Sequence, residues 1–302
     1  MYPIFKFIGK ENICKDVNIA FPSQHQDSMP GLEYQMMPIP ISENPCHIPS
    51  NKLKDKVVII TGGDSGIGRA VAYLFAKEGA NISIAYYPTD EKDAQETKCR
   101  IEEIGKSCLL IPCDLTCPES SKTVVEKTIN TFGKIDILIN NCAVQYVQKD
   151  FLNISIDQLE KTFKTNIFSY FYMTQATLPY LKKGSVIINT TSVTAFEGNK
   201  QLIDYSSTKG AILTFTKSLS QSLISKGIRV NGVAPGPIWT PLIPASFSAE
   251  EVRTFGTYTS EVPMGRAGQP YEVATCYLFL ASDDSSYMSG QILHPNGGNI
   301  VI

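Results

Sequence analysis

The sequence is poor in the residues that several common chemistries require. Only three histidines occur among 302 residues, His25, His47 and His294, and none stands in a ligand motif. A histidine-built metal centre or a Ser-His-Asp triad is therefore not expected. Neither sign of charge is in surplus: the formal net charge is −2, with basic and acidic residues scattered along the chain. A nucleic-acid binder carries a basic surplus or stripe, so nucleic acid is not an expected partner. No apolar run approaches the ~20 residues that span a bilayer. Lys6 and Lys10 interrupt the apolar start and no small-residue cleavage site follows, so neither a signal peptide nor a membrane partner is expected. The eight cysteines, Cys14, Cys46, Cys99, Cys108, Cys113, Cys117, Cys142 and Cys276, are irregularly spaced. Cys113 and Cys117 have no second pair and no nearby His, which is poor zinc spacing. The expectation is reduced thiols, no bound metal and a cytoplasmic location. No internal repeat or low-complexity tract is visible.

What is present is an ordinary globular composition, 43% hydrophobic and 19% charged. Residues 1–50 stand apart, because they hold seven of the 18 prolines and show no sustained period. Proline removes a backbone donor and restricts its neighbour, so this stretch reads as an extended or disordered arm. It supplies no sheet strand and should be dispensable for folding. Residues 51–302 read as one dinucleotide-binding catalytic domain. From Lys52 onward, short apolar runs alternate with amphipathic stretches. The runs at 57–60, 82–84, 108–111, 135–140, 186–188, 228–233 and 291–294 are seven candidate strands. Between them, Ile67, Val71, Leu74 and Phe75 share a helix face that Gly79 should stop. A charged helix ends near Gly105, and Pro118 opens another. Ser155 and Gln158 have the spacing of a capping box at a further helix start. Helices are also expected from about Asp204 to Ser225 and near Tyr271 to Ala281. Strands that are apolar on both faces and alternate with helices predict an α/β fold. The expected form is a single Rossmann-type doubly wound domain, with a seven-stranded parallel sheet and helices on both faces.

Immediately after the first strand the chain reads Thr61-Gly-Gly-Asp-Ser-Gly-Ile-Gly68. Glycines there allow backbone to approach a pyrophosphate, and the helix N-terminus beyond offers free N–H groups and partial positive charge. A methyltransferase loop normally has an acidic residue in the preceding strand, and Val57 to Thr61 has none. The spacing G-x-x-x-G-x-G resembles the short-chain dehydrogenase/reductase family, from about Lys52 to Ile302. Within it, the Pro-rich arm and the TGGDSGIG loop look most like bacterial stress-associated oxidoreductases.

Tyr205 and Lys209 are four residues apart on a predicted helix and so share one face. A phenol has a reference pKa near ~10, and a cation one turn away is expected to lower it toward a useful acid or base. The resemblance implies that Tyr205 exchanges a proton with an alcohol or carbonyl oxygen while a hydride moves to or from nicotinamide. It also implies that Ser192, 13 residues before Tyr205, hydrogen-bonds the substrate oxygen, and that Asn166 holds a relay water near Lys209. Asparagine inside a helix is otherwise mildly unfavourable. The implied cofactor is NAD(P), held by Gly62, Asp64, Ser65, Gly66, Ile67 and Gly68 of the loop, and by Asp114 and Leu115 at the adenine. Asn141 supports the ribose, and Pro235, Gly236, Ile238 and Thr240 receive the carboxamide, with Tyr205 and Lys209 completing the set. Cys142 and Ala143 depart from the family's Ala and Gly, and Ala143 requires a backbone angle that an L-residue tolerates.

Cofactor preference turns on the end of the second strand. Tyr86 stands where NAD-preferring relatives carry Asp, and Tyr87 and Ser65 stand where NADP-preferring relatives carry Lys or Arg. Arg69 is expected either to face solvent or, should NADP be favoured, to hold its phosphate. Asp64 should repel a 2′-phosphate and Asp90 could reach the ribose, so NAD is weakly favoured over NADP. Trp239 and the stretch Pro241 to Glu261 are expected to form a lid, with Gln145, Tyr146 and Glu197 as wall residues. Admissible substrates are polyols, sugars, ketones or aldehydes, and the expected assembly is a homotetramer or homodimer pairing through helices at about 155–180 and 205–226. Two rivals remain, a dinucleotide-binding regulator without turnover and a sugar epimerase or dehydratase. The first would tolerate loss of Tyr205 or Lys209, and both are kept. The second needs a substrate domain after the Tyr-Lys pair, where only about 93 residues follow.

Overall fold

β-branched residues crowd their neighbours in a helix and pack well on a pleated sheet, and every such run predicted above is a strand. The computed structural model describes residues 8–9, 17–18, 20–257 and 262–299. Cys14, the last four residues of the stretch ending at Glu261, and Ile302 lie outside them. The strands are β1 (Val57–Thr61), β2 (Asn81–Tyr86), β3 (Cys108–Pro112), β4 (Ile137–Asn140), β5 (Val186–Thr190), β6 (Arg229–Val233) and β7 (Ile292–Leu293). They form one parallel sheet in the order β3-β2-β1-β4-β5-β6-β7. All five residues of β1 are buried, as expected for a strand covered on both sides. Val58, Ile60, Ile82 and Ile84 meet Val71, Phe75 and Tyr277 on one face. On the other, Ile59, Ile111, Leu138 and Ile187 meet Val124, Val125 and Met173.

The covering helices are α1 (Gly66–Lys77), α2 (Glu91–Glu103), α3 (Pro118–Phe132), α4 (Ile156–Phe163), α5 (Ser169–Thr177), the short α6 (Thr194–Glu197), α7 (Ile203–Leu223), α8 (Leu242–Ser246), α9 (Ala249–Thr254) and α10 (Pro270–Ala281). Pro118 takes the first turn of α3. Gly79 follows α1 with φ +98°, and a Cβ there would stand 2.9 Å from Lys54 Cα. Two expectations need correction. The helix from Ser155 is interrupted by a π-helical turn, Lys164–Phe168, between α4 and α5. Its start has only half a capping box: Ser155 Oγ accepts from Gln158 N at 3.1 Å, but the Gln158 Oε1 that would accept from Ser155 N accepts from Gln148 Nε2 at 2.7 Å instead, while Gln158 Nε2 donates to Asp204 Oδ2 at 2.9 Å. Competing partners outside the helix win the side chain.

Among the described residues the arm adds no strand to the large sheet, and residues 8–9 and 17–18 pair only with each other. Residues 20–50 are otherwise extended, with one 3-10 turn at Glu33–Gln35. They are tightly packed. Phe21 stacks on Trp239 with ring centroids 3.7 Å apart, and Met36 joins Trp239, Ile243 and Val252 in a small apolar cluster. Ile41 N donates to Gln269 Oε1 at 2.9 Å, and Tyr271 N donates to Ile41 O at 3.1 Å. No helix among the described residues is long and apolar enough to cross a membrane.

Candidate active site

Chain winding reverses between β1 and β4, so the loops after these neighbouring strands part and leave a crevice at their carboxyl ends. The crevice opens into a cleft of about 1010 Å³, large enough for a dinucleotide and a small substrate together. The glycine loop forms its floor. Gly62 and Gly66 have φ +63° and +53°, angles that L side chains rarely adopt. A Cβ on Gly68 would lie 1.8 Å from Gly62 O, so α1 can close on the strand end only with glycine there. These glycines leave a backbone cradle at a helix N-terminus, and a pyrophosphate fits its shape and charge.

Gly62 and Gly66 border the cleft, as do Asp64, Ser65, Ile67, Tyr87, Asp114, Leu115, Asn141, Pro235, Gly236, Ile238 and Thr240, whereas Gly68 does not and serves the packing of α1 on the strand end. Asn141 braces the loop: its Nδ2 donates to Thr61 O at 3.1 Å and to Gly62 O at 3.0 Å. Ala143 is accommodated, because the described non-glycine residues with positive φ are Asn51 and Asp55.

At the reaction centre, α7 presents Tyr205 and Lys209 on one face, both buried. Lys209 Nζ donates to Thr190 O at 2.9 Å, and burial lowers its pKa to about 8. Burial pushes the Tyr205 phenol up to about 12, against a hydrogen bond from Ser192 that pulls down. The expected lowering by Lys209 is absent. The ammonium is bonded to Thr190 and lies 5.4 Å from the Tyr205 ring centroid, so desolvation dominates. Ser192 Oγ accepts from Thr194 N and Oγ1, both at 3.2 Å, which leaves its own proton for the phenol oxygen.

Asn166 is brought near but not into the cleft. It sits in the π-helical turn, an irregularity frequent at functional sites. Its Oδ1 accepts from Val144 N at 2.8 Å, and its Nδ2 donates to Val144 O at 2.8 Å and to Thr208 Oγ1 at 3.1 Å. The amide thus clamps the loop after β4 to α7. Arg69 faces neither solvent nor the ribose. It is buried, and it donates to Glu33, Asp64 and Asp93, so it is not available to a 2′-phosphate. Trp239 also departs from expectation: it is fully buried under Phe21 and donates from Nε1 to Pro38 O at 2.9 Å, an anchor and not a lid surface. The rest of the expected lid stretch folds into α8 and α9, of which α8 borders the cleft through Leu242 and Ile243 and is tied to the wall by Gln145 Nε2 donating to Ser246 Oγ at 2.8 Å. Glu197 borders the cleft and Tyr146 does not. Sequence reasoning missed Met29, Pro30 and Gly31 of the arm and Lys161 and Lys164 of the fourth helical segment, all of which line the cleft. Nothing local marks them.

Comparison with known proteins follows this geometry. Residues 62–299 match the family model described as enoyl-(acyl carrier protein) reductase. The chain is 54% identical to the glucose and ribitol dehydrogenase of Daucus carota, over 93% of this chain and 97% of that one. It is also 54% identical to the NADPH-dependent aldehyde reductase 1 of Arabidopsis thaliana, with 94% and 99% covered. General stress protein 39 of Bacillus subtilis is 53% identical, with 93% and 96% covered. A short-chain dehydrogenase from Burkholderia cenocepacia in complex with NADP superposes with TM-score 0.75 at 27% identity, covering 82% of this chain and 98% of that one. A 3-ketoacyl-(acyl-carrier-protein) reductase from Brucella melitensis complexed with NADH gives TM-score 0.73 at 30% identity, with 82% and 98% covered.

The Asn166 clamp generates a prediction. Asn166→Ala leaves buried Val144 N–H and C=O groups without their partner, which should cost roughly 2–4 kcal/mol of folding stability. Urea unfolding measures it, and a cost near zero would contradict the clamp.

Proposed function

The chain belongs to the short-chain dehydrogenase/reductase family, and on that premise we propose that it is an NAD(P)-dependent oxidoreductase of alcohol and carbonyl groups with Tyr205 as its general acid and base. The observation that carries this reading is the buried Tyr205 phenol and Lys209 ammonium on one face of α7, meeting Ser192 in the lining of the cleft. A nicotinamide dinucleotide, bound along Gly62–Gly68 and Pro235–Thr240, supplies or accepts the hydride. In reduction, Tyr205 gives its phenolic proton to the substrate oxygen, and in oxidation it takes that proton back. Ser192 donates to the same oxygen and stabilises developing charge. Lys209 stabilises the phenolate once the proton has left. Asn166 keeps the β4 loop and α7 in register. A buried phenol that holds its proton at neutral pH favours the reducing direction, which consumes that proton.

For the substrate we favour a polyhydroxylated aldehyde or alcohol of sugar size. The polar wall of Gln145, Glu197 and Asn199 supports this, as do the names of the carrot and Arabidopsis relatives. For the cofactor we favour NAD. Asp64, Tyr87 and Asp90 line one end of the cleft, and the lysines that line it stand elsewhere, on α4, the π-helical turn and α7. Burial, then the nearby Asp64, raises Asp90 to about 7. An ionised Asp90 repels a 2′-phosphate and a protonated one does not. The Arabidopsis name points the other way, so the preference is set as a measurement below. The assembly we favour is a homotetramer or homodimer: Ile156 and Leu159 of α4, Phe168 of the π-helical turn and Phe171 of α5 are exposed, and Phe171 lies 4.3 Å from Phe215 of α7, apolar surface of the kind that marks an interface.

Tyr205→Phe should abolish turnover with fold and cofactor binding intact. Retention of more than a tenth of wild-type kcat, a loss of only ~1.4 kcal/mol of barrier stabilisation, would remove Tyr205 from the role. Wild-type reduction should be flat toward neutral pH and fall above about 8, as Lys209 loses its proton; a profile flat to pH 10 would contradict the role of Lys209. The NAD:NADP ratio of kcat/KM on one substrate should favour NAD at pH 8 and shrink at pH 6, as Asp90 takes up a proton. An advantage for NADP of about tenfold at pH 8, or ~1.4 kcal/mol, would overturn the preference. The double variant Phe168→Glu, Phe171→Glu should sediment as a monomer, and an unchanged mass would reject that interface.

A further inference from the structure

Glu33 belongs to the arm, yet its carboxylate ends at the cofactor loop. Oε2 accepts from Gly66 N at 2.6 Å, and Oε1 accepts from Arg69 Nη1 at 2.8 Å. The first turn of α1 lacks a cap from its own flank, since Ser65 makes no side-chain cap bond. A residue 33 positions upstream provides it. The arm turn is itself held from below, because Glu33 N and Tyr34 N donate to the two oxygens of Asp93 at 2.8 and 3.1 Å. Arg69 closes the network through Asp93 Oδ1 and Asp64 O. Glu33, Arg69 and Asp93 are all buried.

The same segment holds the substrate lid. Ser23 Oγ donates to Ala249 O at 2.8 Å, Gln26 N donates to Pro244 O at 2.8 Å, and His25 Nδ1 bonds Phe247 O at 2.8 Å. Between the two attachments Met29, Pro30 and Gly31 line the cleft. A Cβ on Gly31 would stand 2.3 Å from Pro241 O, so the segment passes in direct contact with the base of α8. A covering that merely shielded apolar surface would need neither a buried carboxylate on the glycine loop nor a route along the cleft.

We propose that residues 23–36 are a strap that belongs to the cofactor site, with Glu33 as a positioning residue that sets the first turn of α1 for the dinucleotide and couples that turn to the lid. This rests on the reading that the cleft takes NAD(P). With Gly66 N–H fixed by Glu33, the Ile67 amide that follows it is oriented at the edge of the cleft before any ligand arrives. Preorganisation of that kind is worth affinity, because the ordering cost is met on folding and not on binding.

The test uses the full chain at pH 8, above the value of about 7 to which burial raises Glu33. Wild type, Glu33→Gln, Glu33→Ala and Gly31→Ala are titrated with NADH and NADPH by calorimetry. Emission of Trp239, the single tryptophan, reports docking of the arm through its stack on Phe21. Glu33→Ala should weaken binding by about tenfold, the equivalent of one lost charged hydrogen bond, and should redden the emission. Glu33→Gln should recover part of the affinity, because its amide oxygen still accepts from Gly66 N but cannot pair with Arg69. Gly31→Ala, which leaves the Glu33 pair in place, should also weaken binding, and it keeps the question open to decision if Glu33→Ala does not fold. Affinities within about twofold of wild type in Glu33→Gln and Gly31→Ala, with or without a change in emission, would overturn the strap while leaving the dinucleotide reading intact. A wild-type protein that binds neither cofactor would overturn both.

Discussion

The first turn of α1 folds back onto the Gly62 carbonyl so closely that position 68 has room for hydrogen alone, a Cβ there standing 1.8 Å from the oxygen. The rest of the site is assembled from that approach. It presses Gly62 against the loop after β4, where a Cβ would lie 3.2 Å from Cys142 Cα, and there Asn141 takes hold of the Thr61 and Gly62 carbonyls. Asn141 Oδ1 in turn accepts from Thr190 Oγ1 at the end of β5, at 3.3 Å. The Thr190 carbonyl then fixes the Lys209 ammonium. A contiguous line of polar contacts therefore runs from the cradle to Lys209, so an error of an ångström at the loop would be felt at the far side of the cleft. Geometry held to that tolerance is what positioned catalysis requires.

Burial shifts Tyr205 and Lys209 of α7 in opposite senses. It disfavours charge on both, so the phenol retains its proton and the ammonium gives its own up more readily than a free lysine. At neutral pH the pair is thus a neutral phenol beside an ammonium that still holds its proton. Ser192 offsets part of the penalty on Tyr205, and the Thr190 carbonyl offers the ammonium a hydrogen bond in place of water. A chemical step that creates a phenolate changes this balance, because an anion next to Lys209 would favour keeping that lysine charged. The two residues share a spacing that any surface helix can show. It is their joint burial that sets them apart from such a surface pair.

The fold and the main residues of the candidate site are legible because their signals are local. A β-branched run bounded by glycine, a G-x-x-x-G-x-G turn and a Tyr-Lys pair one helical turn apart each announce themselves within a dozen residues. What could not be read depends on partners distant in sequence. Trp239 seemed a loop aromatic, and its burial comes from Phe21 and Pro38, about two hundred positions away. Arg69 follows the glycine loop as a phosphate ligand would, and only Glu33, 36 positions upstream, shows that its guanidinium is already engaged. The resemblance implies a relay water for Asn166, and its place inside a helix adds only that some polar partner is needed; Val144, 22 positions upstream, cannot be inferred from either. The Ser155–Gln158 pair failed for a similar reason, since the Gln148 amide, outside the helix, takes the Gln158 oxygen.

The two ends of the arm's packed segment are held by different forces, and the difference bears on what the segment does. Phe21 against Trp239 is an apolar stack, whose energy comes from area removed from water and tolerates small shifts. Glu33, Arg69 and Asp93 form a buried ionic cluster, in which desolvation cancels much of the attraction. Such a cluster adds little net stability compared with apolar residues of the same shape, but it demands one geometry, because any displacement strands a charge. The apolar end therefore holds the segment on, and the ionic end fixes its register. Simple attachment would be served by apolar contact at both ends. A register fixed to within a hydrogen bond is needed only where the backbone beneath it must be placed accurately, and that backbone is the first turn of α1.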